Sequence, residues 1–159
     1  MSEKSTGNIA YTNPIIDYGA DPSVYYYDGW YYYVCPTVQN GYSAIQINRA
    51  ANVCDIGNTV SHVIYSFTDA GIASIWAPQI YMFDGVWYVY FSGALAENAS
   101  VKRTPYVLKS DSDDPFGTYT MVGKMQNLDT HNTNKVNKRF IAEPKKYIAL
   151  VMRYTSCAT

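Results

Sequence analysis

The sequence predicts an all-β fold built from β-propeller blades, each of four antiparallel strands. Seventeen Tyr and three Trp stand against only 16% charged residues, a balance that suits pleated and half-buried sheets. No stretch shows the sustained 3.6-residue apolar period of a helix. A segment of similar outline occurs at residues 20–34 and again at 76–90. A repeat of this length in β-type residues indicates stacked sheet units.

The repeat is defined by residues 56 positions apart, namely Pro22 and Pro78, Asp28 and Asp84, and Gly29 and Gly85. In each copy an aromatic run reaches Asp-Gly and resumes as an aromatic run. This pattern predicts a tight β-hairpin, because Gly accepts the positive φ of the turn and Asp tolerates it. Beyond the turn, Trp30 matches Trp87 at a distance of 57, which we interpret as one inserted residue in the second copy.

Each copy extends to four predicted strands. The first unit has strands at 24–27, 30–36, 42–49 and 60–67, and the second has strands at 75–83, 86–92, 106–110 and 119–122. Four antiparallel strands in this length make one propeller blade, a form that keeps sheet edges short and protected. The sequence therefore predicts blade 1 at about 20–68 and blade 2 at about 75–123.

The repeat does not continue into a third copy. Adding 56 to the second Asp-Gly turn reaches Phe140 and Ile141, where neither an Asp-Gly nor an aromatic pair occurs. Residues 131–159 hold six of the twelve Lys and Arg, one acid (Glu143), and no Gly or Trp. We therefore expect a flexible start at 1–12, a partial propeller domain at 13–129 and a divergent basic tail at 130–159.

Composition excludes several classes of partner. A formal net charge of −1 provides no field that recruits nucleic acid or a membrane surface. No signal-peptide core begins the chain and nothing approaches a membrane span, which favours a cytoplasmic location for the chain as written. The three Cys lack metal-ligand spacing and are interpreted as buried or incidental thiols, with a Cys35–Cys54 disulfide as the alternative. His62 and His131 are isolated, so neither a metal nor a cofactor is predicted.

The best candidate for chemistry is Asp21, at the head of the innermost strand of blade 1. Inner strand ends of a propeller converge on the central cavity, and the matching residue of blade 2 is Ala77. Because one copy lacks the carboxylate, the fold itself does not require it, which favours a site-specific role. The alternative is a strand-capping or turn Asp.

Four motifs together resemble glycoside hydrolase family 43. They are Asn-Pro-Ile at 13–15, Gly-Ala-Asp-Pro-Ser-Val at 19–24, Ile-Trp-Ala-Pro-Gln-Ile at 75–80 and Ser-Asp-Asp-Pro-Phe-Gly-Thr-Tyr at 112–119. The resemblance covers about residues 13–129 and implies a five-bladed propeller. It also implies an arabinofuranosidase, arabinanase or β-xylosidase that needs no cofactor and acts on arabinan, arabinoxylan or xylan.

The resemblance further implies an inverting mechanism with two carboxyl groups about 6.5–9.5 Å apart. Asp21 matches the general base of the family. Trp76 and Pro78 are implied as sugar-binding residues, with plain core packing as the alternative for Trp76. The second Asp of the family belongs to the third blade, and its acid is a Glu in a later Glu-Gly-Pro motif.

Neither of these later residues has a credible counterpart in the sequence. Glu143 precedes Pro144, yet it comes a blade too early and lies among Lys and Arg that favour its ionised form. Asp129 is not followed by the expected strand. Asp111, Asp113 and Asp114 belong to a short loop without the ligand alternation of a calcium site, and a solvated turn is the better interpretation.

Three hypotheses follow. The first is a truncated glycosidase with reduced or no activity alone. The second is a non-catalytic carbohydrate-binding or interaction module built from propeller blades. The third is self-association of several chains into a whole propeller, favoured because two open blades leave sheet faces unburied.

Overall fold

The computed structural model describes residues 13–17, 19–68, 71–95 and 103–125. They form two four-stranded antiparallel sheets in which strands neighbour one another in chain order. The first sheet contains β1 (Ser23–Tyr27), β2 (Trp30–Gln39), β3 (Tyr42–Ala50) and β4 (His62–Ser66). The second contains β5 (Ile72–Phe83), β6 (Val86–Leu95), β7 (Thr104–Ser110) and β8 (Tyr119–Lys124). The predicted all-β fold with two blade-like sheets is confirmed.

Both sheets begin with the same two-residue hairpin. Asp28 and Gly29 have φ of 46° and 81°, and Asp84 and Gly85 have φ of 49° and 79°. Positive φ at both central residues is the requirement of a tight hairpin turn. The residues on either side of each turn then pair directly, Tyr27 with Trp30 and Phe83 with Val86, which confirms the predicted turns.

The inserted residue expected after the second turn is not present, so that interpretation was wrong. Tyr27 pairs with Trp30 across the first turn, and Phe83 pairs with Val86 across the second. Trp30 therefore corresponds to Val86, and Trp87 corresponds to Tyr31. A one-residue shift in a strand moves a side chain to the other face of the sheet. When one hairpin is superposed on the other, the two tryptophans consequently lie on opposite faces of the strand.

The larger of two hydrophobic clusters in the described residues lies between the two sheets. Its buried members include Tyr32, Val34, Ile45 and Ile47 from the first sheet and Ile80, Trp87, Val89, Phe91 and Leu108 from the second. Trp87 is only 1% exposed, and the rings of Tyr25 and Tyr32 lie 6.2 and 4.8 Å from it. Aromatic pairs of this geometry add about 0.5–1.5 kcal/mol each beyond area burial. Trp87 is thus the main aromatic contact between the sheets.

A short 3-10 helix, Val53–Asn58, connects β3 to β4 and was not predicted. Asn52 caps it, because its side chain accepts a hydrogen bond from the Cys54 N–H at 3.0 Å. Ile56 of this helix packs with Tyr33 and Cys35 on the outer face of the first sheet. Gly57 lies so close to the carbonyl of Ile15 that a Cβ would collide with it, which fixes the residues before β1 against this helix.

Several predictions fall outside the described residues. The flexible start, the basic tail, Glu143, Asp129 and His131 all belong to this part of the chain, and the proposed division into 13–129 and 130–159 stays a prediction. Cys35 and Cys54 are free thiols, so the alternative of a disulfide between them was wrong. No helix in the described ranges is long and apolar enough to cross a membrane.

Candidate functional site

Asp21 lies immediately before β1, with an exposed side chain and a φ of 48°. Asp is one of the residues that tolerate this left-handed conformation, since its short polar side chain can offset the steric cost by hydrogen bonding to nearby backbone. The carboxylate is held at one oxygen: the backbone N–H of Ala77 donates to Asp21 Oδ2 at 3.0 Å. The hydrogen bond therefore connects the head of the first sheet to the second sheet.

Ala77 lies within β5, where the strand is interrupted by a bulge. Trp76 pairs with Ser92 and Gln79 with Tyr90, so β5 advances three residues while β6 advances two. Ala77 itself has a φ of 48°, a conformation that costs a residue with a Cβ about 1–2 kcal/mol. Bulges often redirect a group out of the ladder, and here the Ala77 N–H is directed to Asp21.

Trp76 precedes Ala77 and is half-buried. The guanidinium carbon of Arg103 lies 4.3 Å from the centre of its indole ring, a cation–π contact. Pro78, on the other side of Ala77, is fully buried. Of the predicted site residues, Asp21 is exposed and Trp76 is half-buried, whereas Pro78 is buried.

The described residues supply carboxylates from Asp alone. All three Glu of the chain, at positions 3, 97 and 143, lie outside the described ranges. The site as described therefore consists of one exposed carboxylate, an indole and a guanidinium. Such a set can accept a proton and can bind an uncharged polyol, because the carboxylate is the acceptor and the indole provides an apolar platform.

The acidic loop before β8 has a structural function. Asp111 accepts hydrogen bonds from the Thr120 and Thr118 hydroxyls, both at 2.8 Å, and these bonds lower the pKa of its carboxyl group. Asp114 accepts from the Phe116 N–H at 2.9 Å. Within the described ranges, no group of three or more His, Cys, Asp or Glu could hold a metal ion. The carboxylates of Asp111 and Asp114 are thus engaged by hydrogen bonds within their own turn.

The same loop anchors the core tryptophan. Trp87 Nε1 donates to the Asp113 carbonyl at 2.9 Å, and its backbone N–H donates to Ser110 Oγ at the same distance. The Tyr119 hydroxyl donates to the Pro115 carbonyl at 3.0 Å. The motif at 112–119 thus satisfies the polar atoms of buried aromatic residues.

His62 and Arg49 take part in contacts between the sheets. The His62 ring lies 5.1 Å from that of Phe116, edge to face. Arg49 lies over two rings, 4.4 Å from Trp30 and 5.2 Å from Phe116. The exposed His62 thus makes an aromatic contact with the second sheet.

Two features of the site were missed at the level of sequence. The Ala77 N–H is a backbone group, so no residue type marks it, although the alignment of Asp21 with Ala77 identified the two positions that meet. The residues before Arg103 carry no recognisable motif, and nothing in the neighbouring sequence points to Trp76.

Known proteins share this arrangement of sheets. The model of the family described as "Glycosyl hydrolases family 43" matches residues 11–147. The chain belongs to this family. The resemblance seen in the sequence is thereby confirmed, and the two sheets are blades of its propeller fold.

Curated relatives include two arabinofuranosidases. The chain is 32% identical over 121 residues to an extracellular exo-α-(1→5)-L-arabinofuranosidase of Streptomyces avermitilis, covering 74% of the chain and 25% of the relative. It is 28% identical over 145 residues to α-L-arabinofuranosidase 43 of Humicola insolens, covering 88% of the chain and 29% of the relative. The chain therefore spans about a quarter of the length of these relatives.

Solved structures agree with the fold. The α-L-arabinofuranosidase from Lactobacillus brevis superposes with a TM-score of 0.62 at 28% identity, over 74% of this chain and 39% of that one. A family 43 β-xylosidase/α-arabinofuranosidase from a compost metagenome, in complex with xylotriose, gives a TM-score of 0.53 at 22% identity. The match covers 70% of this chain and 37% of that structure, and it supports the fold alone.

Proposed function

We propose that Asp21 is the general base of an inverting glycosidase that hydrolyses O-glycosyl bonds of arabinose- or xylose-containing plant saccharides. The single observation that carries the proposal is the exposed Asp21 carboxylate, held at Oδ2 by the Ala77 N–H at the head of the first blade. Membership of family 43 and the arabinofuranosidase relatives support the choice of substrate.

In the proposed reaction Oδ1 of Asp21 accepts a proton from a water molecule. The water oxygen forms a bond to the anomeric carbon as the bond from that carbon to the leaving oxygen breaks. A carboxylic acid on the opposite side of the sugar donates the proton that the leaving oxygen takes up. Inversion follows because the water attacks from the face opposite the leaving group, with about 6.5–9.5 Å between the two carboxyl groups.

Trp76 and Arg103 form the proposed wall of the sugar site. The apolar C–H face of a pentose matches an indole surface, and the guanidinium 4.3 Å from the ring centre brings hydrogen-bond donors beside sugar hydroxyls. A bound sugar then uses the part of the indole that Arg103 leaves uncovered. Pro78 supports this wall from behind, since its ring is fully buried.

We propose further that this chain by itself has reduced or no activity on substrates whose leaving group needs protonation. The reason is that the sequence has no credible counterpart of the Glu-Gly-Pro motif that supplies the acid in the family. A missing general acid lowers the rate by about 10²–10⁴-fold. Aryl glycosides with a very acidic leaving phenol do not need this proton, so they test the base alone.

The experiment compares hydrolysis of 2,4-dinitrophenyl and 4-methylphenyl α-L-arabinofuranosides and β-xylosides by the purified chain. We expect turnover of a dinitrophenyl glycoside alone, lost in Asp21→Asn and retained in Asp28→Asn. Asp28 is the matched control because it has a nearly identical φ of 46° but lies in the hairpin turn. Dinitrophenyl turnover that survives Asp21→Asn would contradict the assignment of the base, and turnover of the methylphenyl glycosides would contradict reduced activity.

A second candidate is a carbohydrate-binding module without catalysis. It is favoured by the combination of a half-buried Trp76 and a single exposed carboxylate in the described site. Calorimetric titration with arabinan and xylan oligosaccharides discriminates between the two. Binding that is lost in Trp76→Ala, with no turnover of any aryl glycoside, would favour the module.

Light scattering tests self-association, which a strictly monomeric folded protein would contradict.

A further inference from the structure

Ala77, which holds the Asp21 carboxylate, occupies the position in blade 2 that corresponds to Asp21 in blade 1. Asp21 and Ala77 are 56 positions apart, each is followed by Pro, and each has a φ of 48°. The same backbone conformation therefore occurs at the head of each blade. In blade 1 this position provides a carboxylate that accepts a hydrogen bond, and in blade 2 it provides the N–H that donates it, at 3.0 Å.

The conformation of Ala77 is costly and local sequence does not favour it. Ala has no side-chain hydrogen bond with which to stabilise a left-handed conformation, unlike Asp. The bulge between Trp76 and Gln79 also interrupts the pairing of β5 with β6. Strained backbone and bulges persist where surrounding structure enforces them, and both concentrate beside functional sites.

We propose that Ala77 is a positioning residue whose backbone N–H fixes the orientation of the Asp21 carboxylate. With Oδ2 held, rotation of the carboxylate is restricted and Oδ1 is presented in one direction. The inference rests on the proposed function, in which Oδ1 accepts the proton of the attacking water. It assigns to the β5 bulge the role of taking this N–H out of the sheet ladder and directing it at the base.

A purely structural role for this hydrogen bond is the competing explanation. The two sheets are already joined by the buried core around Trp87, which is 1% exposed, whereas the bond to Asp21 lies at the surface. One exposed hydrogen bond adds little to that interface. The two roles differ in what removal of the bond does: loss of a structural bond would lower the free energy of unfolding, whereas loss of a positioning bond frees the Asp21 rotamers and leaves the fold intact.

The first measurement is amide hydrogen exchange by NMR at Ala77. Asp21→Ala removes the acceptor, and we expect exchange at Ala77 to accelerate by about tenfold or more, the factor for the weakest hydrogen bonds to charged groups. Asp21→Asn keeps an acceptor oxygen and should restore most of the protection. Asp28→Ala is the matched control, since it also places Ala at a positive φ and should leave Ala77 unchanged.

The second measurement removes the donor without altering a side chain. An ester in place of the peptide bond between Trp76 and Ala77 replaces the N–H by oxygen. We expect the three-bond couplings of Asp21 to report one χ1 rotamer in the native protein and averaged rotamers in the ester variant. The Val89 amide, in the buried core, reports whether each variant remains folded.

These outcomes separate the inference from the function on which it rests. Unchanged Ala77 exchange in Asp21→Ala, equal acceleration in Asp28→Ala, or a single Asp21 rotamer in the ester variant would each overturn the positioning role. If aryl glycoside turnover were still lost in Asp21→Asn, the general base would stand without its positioning group. Conversely, suppose that amide exchange at Ala77 accelerates in Asp21→Ala while Asp21→Asn keeps its turnover. The assignment of Asp21 as general base would then be overturned, and only the hydrogen bond would stand.

Discussion

The heads of the two blades share a backbone and differ in chemistry. Position 21 precedes β1, which begins at Ser23, whereas position 77 lies inside β5, which begins at Ile72. Asp21 is therefore outside the strand pairing and exposes its carboxylate, while Ala77 is within a paired strand and needs a bulge to direct its N–H outward. Equivalent positions of a repeat thus become complementary halves of one site.

The tryptophans that follow the two hairpin turns also differ, in this case in how deeply they are buried. Trp30 is 38% exposed and contacts Arg49, whereas Trp87 is buried between the sheets. They look equivalent in the sequence, yet Trp30 lies directly after its turn and Trp87 lies one residue farther along its strand. Trp30 shares a face of β2 with the core residues Tyr32 and Val34, so its exposure comes from its place at the end of the strand.

The largest expected effect tests the difference in burial between the two tryptophans. Trp87→Ala should lower the free energy of unfolding by about 3–5 kcal/mol, because it leaves a cavity between the sheets. Trp30→Ala should lower it by only about 1 kcal/mol, mainly through loss of the cation–π contact with Arg49. Urea unfolding followed by circular dichroism measures both, with Trp87→Phe as a variant that still fills most of the space. Equal losses would contradict the difference in burial.

A pH experiment compares tyrosines of the two sheets. Burial, with smaller contributions from Tyr88 and Tyr81, raises the pKa of Tyr90 from 10.0 to about 12. Burial also raises the pKa of Tyr33 in the first sheet. A raised folded-state pKa gives stability that is complete below pH 10 and is lost as pH rises through the folded-state value.

Unfolding free energies of Tyr90→Phe and Tyr33→Phe between pH 9 and about pH 12 check this expectation. Each variant should lose less stability than the native protein as pH rises through this window. Tyr42→Phe, at a side chain that is 49% exposed, is the control and should follow the native curve. If both buried-site variants also followed the native curve, the role of these hydroxyls in alkaline unfolding would be disproved.

A smaller effect tests the strain at the head of the second blade. Ala77→Gly retains the N–H and removes the Cβ that makes a φ of 48° unfavourable, so we expect stability to be unchanged or raised by up to about 1 kcal/mol. Ala44→Gly, in the buried part of β3, should instead lower stability by about 1 kcal/mol. Thermal unfolding of both variants gives the comparison, and a clear destabilisation by Ala77→Gly would show that the backbone is unstrained.

The smallest expected effect concerns the wall of the proposed sugar site. Arg103→Ala should weaken binding of arabinan or xylan oligosaccharides by about 0.5–1.5 kcal/mol, the net value of one hydrogen bond to a sugar hydroxyl. Trp76→Ala should weaken it more, because the platform itself is lost. Titration calorimetry measures both, and tighter binding after Arg103→Ala would indicate that the guanidinium competes with the sugar for the indole.

Much of the fold was predictable because it depends on local rules. Asp-Gly between aromatic runs defines both hairpins, and alternation of apolar residues defines β3. The 3-10 helix was missed because its cap, Asn52, is a single weak signal followed by residues without helical periodicity. The alignment of Trp30 with Trp87 by residue type was wrong, because the two-residue turn sets the register of each hairpin.

The candidate site was likewise predictable from the sequence only in part. The sequence by itself determined that blade 1 carries a carboxylate where blade 2 carries Ala, and that an indole precedes this Ala. Only the tertiary structure decided that Asp21 accepts a hydrogen bond from Ala77, and that Arg103 lies over Trp76. The physical reason is that sequence reports side-chain identity, whereas the Asp21–Ala77 hydrogen bond depends on how the two sheets pack, and the Arg103–Trp76 contact depends on how the strands of the second sheet are arranged.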